Sequence, residues 1–105
     1  MIVDEVFHQH GHGSYELTRV HHIDGYVLRV RVCRDSYATQ STAVAEVLTP
    51  LFTWTIIASS PGSGWHRTTP ATPPDATPLI TVADEVLQRA RRILPAPPPF
   101  TTPVR

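Results

Sequence analysis

The stretch SYELTRVHHIDGYVLRVRVCR, residues 14–34, decides the fold. Ser14 to Ile23 and Tyr26 to Arg34 are rich in β-branched and aromatic residues, and between them stands Asp24-Gly25. A two-residue Asp-Gly loop favours a type I′ turn, because both residue types accept the positive φ that this turn demands. Such a turn sets the register, with Ile23 opposite Tyr26, His21 opposite Leu28, Arg19 opposite Val30 and Leu17 opposite Val32. One face then collects Leu17, His21, Ile23, Tyr26, Leu28, Val30 and Val32. The other collects Glu16, Thr18, Val20, His22, Val27, Arg29, Arg31 and Cys33. The first face is predicted dry and the second wet, since a slip of one residue would bury Arg29 and Arg31 and expose the apolar row.

Outward from this hairpin, Ile2 to His8 alternates loosely and predicts a further strand, with Gln9 to Gly13 as a glycine-containing loop. On the other side, residues 36–49 fit either a helix or a strand. The β-branched Thr39, Thr42, Val44 and Val47, with Tyr37 and the Thr49-Pro50 break, favour a strand over about 39–48. A turn centred on Pro50 leads into a strand from Phe52 to Ile57, with Trp54 and Ile56 on one face. Residues 59–78 read as an irregular connector dominated by Gly, Ser, Thr and Pro. It ends in a helix capped by Thr81, with Asp84 and Glu85 in the first turn, an apolar stripe of Val82, Val86, Ala90, Ile93 and Leu94, and Pro95 as its stop.

These elements predict an α+β domain over 1–94: an antiparallel four- or five-stranded β-meander with one C-terminal amphipathic helix on one face. Residues 95–105 are expected to be a disordered proline-rich tail. Ten of the eleven prolines lie in 61–78 and 95–105, so residues 1–60 and 79–94 must build the core. A core that small has little apolar volume to give up to a buried ligand pocket.

Composition narrows the function classes. Nine acidic and nine basic residues give a formal net charge of zero, which weighs against a general nucleic-acid binder. All nine cations are arginine, and neither lysine nor asparagine occurs, a usage expected of a GC-rich bacterium or its phage. Without lysine there is no Walker P-loop and no Schiff-base chemistry. The lone Cys33 forms no internal disulfide. The N-terminus lacks the order of a signal peptide, and no apolar run approaches bilayer length, so a cytoplasmic protein is expected. No Ser-His-Asp, Cys-His or paired-carboxylate arrangement is legible, which leans away from an enzyme.

Three function classes remain. The first is a non-catalytic protein-interaction or accessory module whose partner is another protein or a second copy of itself. Its contacts would come from Trp65 and Arg67 in the connector, which otherwise folds back to cap the sheet, and from Arg29 and Arg31 on the wet face, with Glu16 in reach of the two arginines. The second is a divalent-metal protein using His8, His10 and His12, whose spacing projects three imidazoles from one side of an extended chain, with His21 as a further ligand. Zinc, nickel or copper would suit such donors, although no acid is placed to orient the rings. The third is a nucleic-acid-binding regulator, with an affinity that depends on Arg29 and Arg31 and falls steeply with salt.

Overall fold

The computed structural model describes residues 1–95. They form one five-stranded antiparallel sheet in the order β1-β2-β3-β4-β5 and one helix, α1, the α+β meander expected from the sequence. The strands are β1 (Ile2–Gly11), β2 (Ser14–Ile23), β3 (Tyr26–Arg34), β4 (Thr42–Leu48) and β5 (Trp54–Pro61), followed by α1 (Thr77–Ile93). The β2–β3 register follows from the Asp24-Gly25 turn, with both residues at positive φ and with Ile23 opposite Tyr26, His21 opposite Leu28 and Leu17 opposite Val32.

The dry face carries Tyr15, Leu17, Leu28, Val30, Val32, Ala43 and Ala45. Helix α1 lies on it with Leu79, Val82, Ala83, Val86, Leu87 and Ala90 buried. Three further residues of this face are buried and polar: Arg19, His21 and Arg34. Arg19 bridges three elements, with its Nε 2.5 Å from Glu5 Oε2 on β1 and its Nη1 3.5 Å from Asp84 on α1. Arg34 donates to the Thr69 hydroxyl and carbonyl and to the Gly13 carbonyl, and its guanidinium stands over the Tyr15 ring.

Several boundaries differ from expectation. Strand β1 runs on to Gly11, and the loop shrinks to His12-Gly13, whose positive φ values of 56° and 78° again suit a two-residue turn. Strand β4 begins only at Thr42, because 38–40 coil into a 3-10 turn that leads to the buried Ser41. Helix α1 starts at Thr77 rather than Thr81. Asp75 Oδ1 accepts the Thr77 N–H at 2.8 Å, and Pro78 occupies the first turn, where its missing N–H costs nothing. Ile93, expected on the buried stripe, is 60% exposed.

The connector is anchored rather than loose. It makes two 3-10 turns, at 62–64 and 66–68, and Tyr15 Oη donates to the Pro70 carbonyl at 2.6 Å. Of the proline-rich tail only Pro95 falls among the described residues, and the expectation for 96–105 lies outside them. No described helix is long and apolar enough to cross a membrane.

Candidate functional site

Alternation along five strands delivers two polar clusters to the face that α1 does not cover. The first is built on one strand rung. Arg29 of β3 pairs with Glu46 of β4, while Arg31, two residues along the same face, sits diagonally to it. Both guanidiniums close on that single carboxylate. Arg29 Nε lies 2.9 Å from Oε1 and its Nη2 3.2 Å from Oε2, and Arg31 repeats the pattern at 2.9 and 3.3 Å. From β5 the Trp54 ring approaches Arg29, with the guanidinium carbon 4.2 Å from the ring centre. Glu46 is thereby only 4% exposed, although it stands on the uncovered face. Burial pushes its carboxyl up, but the hydrogen bonds and charges of Arg29 and Arg31 outweigh this and hold it below the ordinary value. The result is a rigid cluster with two cations, one anion and an aromatic lid.

The second cluster grows from the β1–β2 hairpin. His8 faces Glu16, and an irregularity in pairing after Gln9 accompanies His10 onto the same side. The two imidazole rings lie 4.3 Å apart and tilted by 32°. His10 Nε2 is 3.6 Å from Glu16 Oε1. From the next strand Cys33 donates its S–H to Glu16 Oε2 at 3.4 Å. Burial, reinforced by the Glu16 carboxylate, pushes the Cys33 thiol up to about 11, so it is a neutral donor rather than a nucleophile.

The remaining sequence candidates separate from these clusters. Trp65 is 6% exposed and belongs to the core on the helix side of the sheet, so it caps the sheet and offers no ring to a partner. Arg67 is exposed in the turn at 66–68. His12 occupies the β1–β2 turn, and His21 is buried on the opposite face, so neither joins His8 and His10. Glu16 engages Cys33 and His10, and Glu46 takes the place expected of it beside Arg29 and Arg31.

Sequence reasoning missed Glu46, Trp54 as the partner of Arg29, and Glu16 as the acid beside the imidazoles. A two-residue turn at His12-Gly13 alone would set Gln9 opposite Glu16; the shift in pairing between Gln9 and Gly11 brings His8 opposite Glu16 instead, and no local sequence pattern announces it. Comparison with protein-family models, curated proteins and solved structures finds no match to this chain.

A third surface feature adjoins the first cluster. The β4–β5 turn raises Leu51 and Phe52, which are 83% and 85% exposed, and Phe52 is held at a φ of +61°. For a residue with a bulky Cβ substituent that conformation costs about 1–2 kcal/mol. Hydrogen bonds of the turn offset it, since the Phe52 N–H donates to the Thr49 carbonyl at 2.9 Å and the Thr49 N–H to the Thr53 carbonyl at 2.8 Å, while the ring stays exposed. Two residues on, Trp54 begins β5, and Ile56 on the uncovered face is 57% exposed.

Proposed function

We propose that this is a non-catalytic interaction protein that associates with a second copy of itself through the uncovered sheet face and the Leu51-Phe52 turn. The reading rests on Phe52, an exposed aromatic side chain kept in a strained backbone conformation. The hydrogen bonds of the turn hold that backbone, but the ring itself gains no burial among the described residues, and an exposed aromatic ring beside further exposed apolar side chains marks a contact surface. Ile56 on β5 and Val6 on the opposite edge strand β1, both more than half exposed, add apolar side chains to the same sheet face.

Electrostatics support a protein partner over a phosphate backbone. Glu46 offsets one of the two guanidinium charges, so the Arg29–Arg31–Glu46 cluster carries a single net positive charge, too little to track a phosphate backbone. An arginine stacked on tryptophan is instead the kind of group that concentrates energy at protein interfaces. A formal net charge of zero removes the long-range repulsion between copies. Size is also sufficient. Five strands spaced about 4.8 Å and rising about 3.3 Å per residue give a face of about 650 Å². Two such faces bury about 1,300 Å², inside the range of specific interfaces. We assign the protein to the cytoplasm, where its one cysteine remains a thiol.

Phe52→Asn separates folding from association. Asparagine accepts positive φ, so the variant monomer is expected to be more stable by about 1 kcal/mol in urea unfolding. The same change is expected to weaken self-association at least tenfold in sedimentation equilibrium, as is Ile56→Asp. A wild-type chain that stays monomeric at all concentrations, or an association that Phe52→Asn leaves intact, overturns the proposal.

A further inference from the structure

We infer that His8, His10 and Glu16 form a binding site for one divalent transition-metal ion of the zinc class. The inference rests on the β1–β2 hairpin alone and is independent of the self-association reading. Each of the three residues offers one ligating atom, and these atoms all lie within 4.8 Å of one another. A tetrahedral ion bound at about 2.0–2.2 Å requires its ligands about 3.3–3.6 Å apart. The gap is closed by rotation of two exposed imidazoles, with no movement of the strand.

Donor chemistry selects the ion. Two imidazole nitrogens and one carboxylate oxygen suit zinc, cobalt, nickel or copper rather than calcium or magnesium, which take oxygen ligands. Three protein ligands leave at least one position open to water or to a further donor.

The surroundings supply the orientation that a carboxylate ligand needs. The Cys33 S–H holds Glu16 Oε2, leaving Oε1 directed toward His10. Glu16 itself is half-buried on β2, flanked by His8 of β1 and Cys33 of β3, so its rotamer is restrained. Cys33 is thus a positioning residue and not a ligand. His12 and His21 are excluded by their places in the turn and on the opposite face.

The test is calorimetric titration of Zn²⁺ into the metal-free full chain, repeated on Ile56→Asp so that self-association has no part. One ion per chain is expected for both proteins. His10→Ala and Glu16→Gln should each weaken binding at least tenfold, and Cys33→Val about tenfold through loss of orientation. Cys33→Ser, which keeps a donor, should retain binding, and His12→Ala and His22→Ala should leave it unchanged. All substituted positions are exposed or half-buried, and far-UV circular dichroism establishes that each variant is folded. Sub-stoichiometric binding, an unaltered His10→Ala titration, or an equal loss in His12→Ala overturns the site.

Discussion

His21 sits on the helix side of β2, opposite Leu28, with only 5% of its surface exposed. Burial lowers its pKa from the ordinary 6.5, and the positive charges of Arg19 and of the N-terminus act in the same direction, against a weaker pull from Asp84. The folded state therefore disfavours the proton. Its stabilising contribution is present in full above pH 6.5 and is lost progressively as the pH falls from there through the lower folded value. The melting temperature is expected to fall over that window, and His21→Leu to flatten the profile. His66, whose Nδ1 lies 2.9 Å from the buried Ser41 hydroxyl, is also lowered by burial and contributes a residual slope. An unchanged slope in His21→Leu would contradict this assignment. The placement of His21 was legible from residues 14–34, because the Asp24-Gly25 turn counts backward along β2 to it. Glu46 was not. Its register depends on the connection 35–41, whose 3-10 turn and buried Ser41 are set by packing rather than by any two-residue turn rule.

Elements pack through a few close approaches, and Gly62 marks the tightest. It follows β5, and its N–H donates to the Ser41 carbonyl at 3.0 Å, joining the two loops at this end of the sheet. A Cβ on Gly62 would lie 2.5 Å from the Ala38 and Ser41 carbonyl oxygens. Backbone oxygens at that distance have no rotamer by which to withdraw. Gly62→Ala is expected to destabilise the fold by about 3 kcal/mol in urea unfolding, at the upper end of overpacking costs. Gly64→Ala, where nothing lies within 4 Å, should stay within about 0.5 kcal/mol. Equal effects at the two positions would show that the loops are not locked. Composition alone makes this segment an irregular connector. Its order comes from long-range partners, namely Tyr15 on Pro70, Arg34 on Thr69 and Trp65 in the core, and none of these leaves a local pattern. The helix, by contrast, was legible from its apolar spacing, and only its start was displaced, because Pro78 at the first turn was read as part of the connector.

At the scale of the molecule, one sheet face is closed by α1, and among the described residues no element covers the other. Strand alternation settles which side chains go where. It puts Leu28, Val30 and Val32 under the helix and Arg29 and Arg31 outside, where the buried Glu46 draws both cations together. This face thus has a buried carboxylate shared by two guanidiniums, exposed Val6 and Ile56, and a strained aromatic turn at its end. The architecture followed from one hairpin and a helix stripe. The contact surface did not, because it depends on how β4 and β5 register against that hairpin. The most direct measurement is an isotope-filtered NOE experiment on a mixture of ¹³C-labelled and unlabelled chains. Intermolecular signals are expected from the methyl groups of Val6, Val20 and Ile56 and from the Phe52 and Trp54 rings. Their absence in a concentrated sample, or their confinement to the outward side of α1, would contradict association through the open face.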